Sequence, residues 1–275
     1  MLTQVDIQNV TGATLSLPMA GGSPGYLVKD LEGLGLVKAT LTSTDNAQTD
    51  GAQLQGARRD PRNITGKIGF LPDYITNTVQ SLRANLYDYL APMSNVVMSF
   101  YDDGVIFANI AATVESLDDT RFTNDPEMDF SVMCYGVDFI SPDSVVVEGD
   151  TVTDTTSTII DYEGSTDVGF IFVLAVNRTM TSLSLSNTRP DNIVQTLNLE
   201  GLDLISGDTL TICSIPGQKS ITRNRVGNVT SALYSLDSAS TWPSLRKGIN
   251  LFRAQVSGAA VPWSLEYMAK YAGLK

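Results

Sequence analysis

The sequence predicts a mainly β protein built from packed sheets, and three observations carry that prediction. Thr, Ser, Val and Ile alternate with period two along most of the chain, and Gly, Asn or Asp interrupt the alternation about every ten residues. Only one segment has helical spacing. A continuous apolar run, Val168-Gly169-Phe170-Ile171-Phe172-Val173-Leu174-Ala175-Val176, is too short to cross a membrane and rich in β-branched and aromatic residues, as a central sandwich strand is.

Residues 40–57 have no large apolar residues except Leu41 and Leu54 and carry Thr, Asp, Asn, Gln and Gly throughout, which predicts a long exposed loop or arm. The helix is expected from about Thr78 to Leu90. There Val79, Leu82, Leu86, Tyr89 and Leu90 fall on one stripe, with Asn77 or Thr76 as the cap and Pro92 as the stop. Val96 to Tyr101, the turn Asp102-Asp103-Gly104, and Val105-Ile106-Phe107 read as a hairpin. Between Phe139 and Thr158 the run Ser141-Pro142-Asp143-Ser144 and a Thr/Asp stretch flank a short valine patch, and the domain boundary is placed there. Beyond it, Leu183–Ser186, Val194–Leu199, Thr209–Ile212 and Ile249–Ala254 alternate with period two, and two packed sheets bury such strands.

Composition excludes whole classes of function. The chain has 275 residues, with 18 Lys+Arg against 30 Asp+Glu, so its net charge is −12, and it contains no histidine. Without imidazole there is no Ser-His-Asp or Cys-His nucleophile, no His metal ligand and no imidazole proton shuttle. A pI near 4.3 argues against an electrostatic grip on nucleic acid, which needs clustered cations. At 43% hydrophobic residues and a mean hydropathy of +0.03 the chain is globular rather than disordered. Cys134 and Cys213 lie far apart in apolar alternating runs and are expected as two buried free thiols. Neither a signal peptide nor a membrane span is expected. The sequons at Asn9, Asn63, Asn177 and Asn228 are matches of the kind an Asn- and Thr-rich chain produces by chance.

Carboxylates are the abundant acid-base groups, and a glycosidase needs only two of them across a sugar ring. Asp102/Asp103, Asp118/Asp119 and the string Asp125, Glu127, Asp129 are the candidates, but nothing in their spacing makes two face each other, and solvated loops explain them better. Asn124 to Asp129 is oxygen-rich yet fails the EF-hand order. Gly21-Gly22 and Gly33-Leu34-Gly35 lack the Lys-Ser/Thr of a phosphate loop and read as turns.

Cations gather in two places. Arg58, Arg59, Arg62 and Lys67 surround Asp60, and Lys219, Arg223 and Arg225 follow a Pro216-Gly217 turn. On an acidic chain such clusters suit contacts between copies, and equally a guarded strand edge. Trp242-Pro243 and Pro262-Trp263 hold the tryptophans. Core packing is expected for them, with Trp242 as the candidate sugar-facing aromatic.

Several segments, taken in order, resemble the distal tail protein family of long-tailed phages of Gram-positive bacteria. In the first half these are Leu31 to Thr40, Thr49-Asp50-Gly51-Ala52, Arg58 to Phe70, the helix with Arg83 and Tyr87, and the strand Phe130 to Asp138, where family members often show a similar cysteine. In the second half they are Ile160 to Gly164 with Gly169-Phe170, Ser206 to Leu210, Pro216 to Ser220, Trp242 to Asn250, and Tyr267 to Gly273. Each segment alone fits any β-turn, and their order carries the resemblance.

The resemblance implies an N-terminal β-sandwich belt domain with one helix over residues 1–142, whose copies join into a ring, expected to be a hexamer. It also implies a C-terminal galectin-like β-sandwich over residues 143–275, projecting outward, whose last strand can return to the first domain. The expected role is structural. The protein is made in the host cytoplasm and sits at the virion tail tip, where it joins the tail-tube protein to the tail-tip hub and the receptor-binding or baseplate proteins and lets DNA pass without specific binding. No enzyme activity, cofactor, metal or catalytic residue is expected. An arm from Thr40 to Phe70 with Arg58, Arg59, Arg62 and Lys67 is the candidate interface. The rival reading is a carbohydrate-binding module for host cell-wall polysaccharide. A tail-tube protein is the near neighbour in structural class.

Overall fold

A computed structural model describes residues 1–21, 25–45, 50–120 and 125–274. The chain divides into two units: Met1–Pro142 together with the residues from Tyr271 onward, and Asp143–Lys270.

The first unit opens with β1 (Leu2–Asn9), β2 (Thr14–Pro18) and β3 (Gly25–Glu32), continues through β4 (Ala39–Asp45), β5 (Ala52–Arg59) and β6 (Arg62–Leu71), and then enters the helix α1 (Val79–Tyr89). It returns as β7 (Asn95–Asp102), β8 (Val105–Asp119) and β9 (Glu127–Cys134), and β10 (Phe139–Asp150) leads out of it. The strands hydrogen-bond in the order β2-β1-β7-β8-β9-β6-β3. β8 is 15 residues long and serves three neighbours, β7 through Thr113, β9 from Thr113 on, and β10 at Asn109. The predicted hairpin at Asp103-Gly104 is present, with both residues at positive φ (47° and 80°), the pair a tight two-residue turn requires.

The inward residues of these strands form one core that includes Ile7, Ile64, Ile68, Phe100, Met128 and Phe130, and Leu82 and Leu86 of α1 close it. The predicted helix stripe thus faces the core, but its cap differs from the expectation. Thr78 is the N-cap and accepts from the Ser81 N–H at 3.1 Å, the Ser81 hydroxyl accepting in return from the Thr78 N–H at 2.9 Å, while Thr76 and Asn77 donate their backbone N–H groups to the Asp73 carboxylate. Tyr26 Oη donates to the Leu82 carbonyl (2.8 Å), Asn85 donates to Tyr26 Oη (3.0 Å), and Arg83 pairs with Asp119 (2.9 Å), which fixes the helix on the sheet.

Of the exposed loop or arm expected over 40–57 the structure has the arm, an antiparallel hairpin of β4 with β5, every described residue of which is exposed. A lack of large apolar residues signals the absence of a core beneath a segment. It does not forbid strand pairing, which Thr and Gln support as well. The arm is also shorter than expected, because β6 from Arg62 onward lies in the core sheet.

The second unit holds β11 (Thr158–Tyr162), β12 (Ile171–Ala175), β13 (Met180–Thr188), β14 (Val194–Leu204), β15 (Thr209–Cys213), β16 (Ser220–Arg225) and β17 (Asn228–Ser231). A 3-10 turn (Leu233–Ser235) follows, then β18 (Gly248–Gln255) and β19 (Pro262–Tyr271). One sheet runs β17-β16-β15-β12-β19-β10 and the other β11-β18-β13-β14. The apolar run predicted as a central strand supplies β12, which lies between β15 and β19. Phe172 and Trp263 from one sheet meet Phe252 from the other, with Trp263 5.7 Å from Phe172 and 5.3 Å from Phe252 between ring centroids. This aromatic contact closes the sandwich. Residues 139–150, expected to open the domain boundary, form one continuous strand, in which Val145 and Val146 are both exposed and Val147 is half-buried.

Both cysteines are free thiols. Cys134 is buried as expected, whereas Cys213 is only half-buried. No helix among the described residues is long and apolar enough to cross a membrane.

Candidate assembly surfaces

The four cations expected to form one patch are separated by the fold. Arg58 remains a surface group, with its side chain 82% exposed and a loose pair to Asp60 at 4.0 Å. Arg59 is partly neutralised within its own chain, since its guanidinium forks onto both oxygens of Asp138, the second contact at 2.9 Å. That carboxylate raises the arginine's already high pKa.

Arg62, expected at the surface, is buried within its own unit. It is 2% exposed, and its donors all point at main-chain carbonyls: Nε to Val137 (3.0 Å), Nη1 to Gly33 and Gly35 (2.5 and 2.6 Å), and Nη2 to Ala272. Its guanidinium carbon sits 4.4 Å from the centre of the Phe139 ring. A charged side chain can be buried this way because each nitrogen of its fork finds an oxygen. Sequence reading places a cation on the surface by default, and nothing local in Arg62-Asn63-Ile64 signals that three distant loops end around it.

Lys67 belongs to a different surface. Cross-strand register lines up Asp30, Lys67, Asp129 and Asp118 in one row across β3, β6, β9 and β8. Lys67 Nζ lies 3.3 Å from Glu127 and 3.6 Å from Asp129, which raises its pKa, and Lys29 also pairs with Glu127. The next row is Glu32, Thr65, Ser131 and Ser116. This sheet face therefore presents more carboxylates than cations, with the lysine held among them. It also accounts for the oxygen-rich run after Asn124: Glu127 and Asp129 serve this face, while Asn124 itself is outside the described residues, as is Gly22. Among the described residues no group of three or more Cys, Asp or Glu is arranged to hold a metal.

The arm has two unlike faces. Leu41 stands opposite Ala57 and Ser43 opposite Leu54, because a register shift between Thr42 and Ser43 leaves Gln55 without a direct partner. Side chains directly opposite share a face, so Ala39, Leu41, Ser43, Asp45, Ala52, Leu54, Ala57 and Arg59 lie together, with Thr40, Thr42, Thr44, Gln53, Gly56 and Arg58 on the reverse. An unshifted register would have put Leu54 among the threonines. Sequence reading missed this face because the bulge that creates it leaves no mark in the alternation.

A second uncovered apolar feature lies on the first unit. Gln8, Val97 and Ala111 form one cross-strand row, and with Val10 and Tyr135 they line a groove of about 280 Å³. In the second unit Trp242 is half-buried, with Lys219 Nζ 5.6 Å above its ring. The cations Arg223 and Arg225 of the second cluster turn onto Asp203 and Asp208 of their own unit.

No protein-family model and no curated protein matches the sequence. Solved structures do match in fold. The crystal structure of SPP1 Dit (gp 19.1), a paradigm of the hub adsorption apparatus in phages infecting Gram-positive bacteria, aligns at a TM-score of 0.70 and 14% identity over 97% of this chain and 98% of that one. The phage p2 baseplate in its activated conformation aligns at 8% identity over the same shares, with TM-scores of 0.43 for the calcium form and 0.44 for the strontium form. At 14% identity what is shared is architecture, and this chain has the fold of SPP1 Dit.

Proposed function

We propose that this protein is a structural component of a phage tail tip. In this reading copies of the first unit, residues 1–142, close into a ring, a hexamer, that joins the tail tube to the hub or baseplate and leaves a passage for DNA. Residues 143–275 form a galectin-like unit that serves other tail proteins.

The observation that carries the reading is the row Asp30, Lys67, Asp129, Asp118 on a fold shared with a hub adsorption protein. A channel for a polyanion works when its wall repels or ignores phosphate, and a face richer in carboxylates than in cations supplies such a wall. A chain of net charge −12 also needs local neutral or basic ground where copies meet, and exposed Arg58 supports an interface at the arm.

Native mass spectrometry with negative-stain imaging tests the proposal. The expected result is a closed ring of six copies, weakened by Arg58→Glu. A protein that stays monomeric across the micromolar range, or that retains duplex DNA at physiological salt, would overturn it. Arg59 is unsuitable for the charge reversal, because Arg59→Glu would repel Asp138 within the same chain.

A further inference from the structure

Building on the tail-tip reading, we propose that the free edge of β17 in the second unit takes up an extended, uncharged segment of another tail protein as an added strand.

The edge is open in main-chain terms. β17 ends its sheet and pairs on one side with β16. Arg225 and Asn228 flank the two-residue turn Val226-Gly227, and past the strand the Ala232 N–H reaches the Ile221 carbonyl at 2.9 Å. Antiparallel pairs alternate in their hydrogen bonding, so Asn228, Thr230 and Ala232 bond toward β16, while Val229 and Ser231 turn their N–H and C=O groups to the open side. Such groups recognise the main chain of another strand.

The edge is also unguarded. Shortness is its only defence: Asn228–Ser231 holds no lysine, proline or bulge, and no charged residue occurs from Val226 to Leu236 in a chain of −12. The other sheet of the same unit has a covered edge, because the Asn198 and Thr196 carbonyls of β14 accept from the Asp237 and Thr241 N–H groups. The segment that seals one edge leaves the other bare.

The side chains beside the edge suit a neutral partner. Val226, Val229 and Tyr234 are 99%, 62% and 69% exposed. Val226 has a φ of +51°, a left-handed conformation that a β-branched residue enters at a cost and that Asn or Gly takes freely. So exposed a side chain gains nothing within its own chain, and contact with a partner is what it serves. On the outer face the row Ser231, Thr222, Thr211, Val173 and Ser264 crosses five strands without a charge, and a neutral added strand continues it. Symmetry favours a different protein over a second copy: two β17 edges pair about a twofold axis and close at two, whereas ring contacts are heterologous.

Hydrogen exchange of the segment 226–236, read by mass spectrometry, compares the isolated protein with tails purified from the phage that carries it. The expected result is fast exchange at Val229 and Ser231 in the isolated protein and at least about tenfold slower exchange in tails. Val229→Lys, at an exposed position, should keep the parental urea midpoint yet lower the yield of complete tails at least about tenfold. Val226→Asn should raise the midpoint while reducing incorporation into tails in competition with the parent, an opposition that a purely structural role for the turn would not produce.

Equal exchange in both states with the protein present in tails, or a Val229→Lys protein that assembles as the parent does, would overturn the edge pairing and leave the tail-tip reading standing. Slow exchange at Val229 and Ser231 already in the isolated protein would assign the edge to a second copy and overturn the proposal likewise. Absence of the protein from purified tails would overturn both.

Discussion

Arg62 donates a hydrogen bond to the carbonyl of Ala272, 210 residues further along the chain. The same guanidinium binds the carbonyls of Gly33, Gly35 and Val137, so one buried cation at the start of β6 ties two loops and the C-terminal segment into the first unit. Burial is the main influence on its ionisation and lowers its pKa from the usual guanidinium value, although an arginine keeps its proton throughout the range in which the protein folds. No carboxylate answers the charge directly. The carbonyl dipoles do, and each would otherwise be a buried acceptor needing a donor.

Replacing Arg62 by Met should therefore cost far more than a surface arginine. Several carbonyls lose a charged donor at once, and a destabilisation of about 3–5 kcal/mol is expected. Arg62→Lys should recover less than half of it, because one ammonium cannot span four separated oxygens. Calorimetric unfolding of both variants checks this, and a lysine variant as stable as the parent would contradict it.

Gly33 should resist substitution for a related reason. Its φ is +86°, and an added Cβ would lie 2.0 Å from the Asn63 carbonyl oxygen, which is backbone and cannot move aside. Gly33→Ala is expected to cost at least about 2 kcal/mol, whereas Gly35→Ala, with open space around it, should stay within about 0.5 kcal/mol. Urea unfolding midpoints for the pair give the comparison, and equal midpoints would refute it.

Thiol chemistry should distinguish the two cysteines. Burial pushes the Cys134 thiol up to about 11, with the nearby Arg62 opposing only in part, so at pH 8 it is protonated as well as enclosed. Iodoacetamide at pH 8 should modify half-buried Cys213 in the folded protein and reach Cys134 only on unfolding. Peptide mass mapping reads the result. Equal modification under native conditions would mean that Cys134 is not held as described.

Asp208 should contribute to acid sensitivity of the second unit. It is 3% exposed and accepts hydrogen bonds from Arg225, which with the Ile205 N–H holds its carboxyl below the ordinary value despite burial. A carboxylate depressed in the folded state stabilises at pH above its unfolded value of about 3.9, and that contribution fades as pH falls through the lower folded value. Asp208→Asn should lower stability at pH 7 and flatten its decline below about pH 4. Urea midpoints across pH 2–7 measure it, and parallel curves for parent and variant would count against the assignment.

The core strands with alternating apolar residues, the α1 stripe and the Asp103-Gly104 turn were legible in the sequence because each depends on local pattern, whereas the exposed strands β4 and β5 and the strand β10 were not, since they bury little or no apolar face of their own. The separation of Arg58, Arg59, Arg62 and Lys67 was not legible. Their partners Asp60, Asp138, Ala272 and Glu127 lie from 2 to 210 positions away, and only the folded sheets bring most of them within hydrogen-bonding reach. The two faces of the arm depend on a single register shift opposite Gln55, which exchanges inside for outside without changing a residue. The sequence by itself determined a mainly β chain with one helix, no imidazole chemistry and a strongly acidic character. Tertiary structure alone decided which charges are buried, which are paired and which remain for a partner, because pairing depends on distance in space and hydrophobic patterning specifies only which side of an element faces inward.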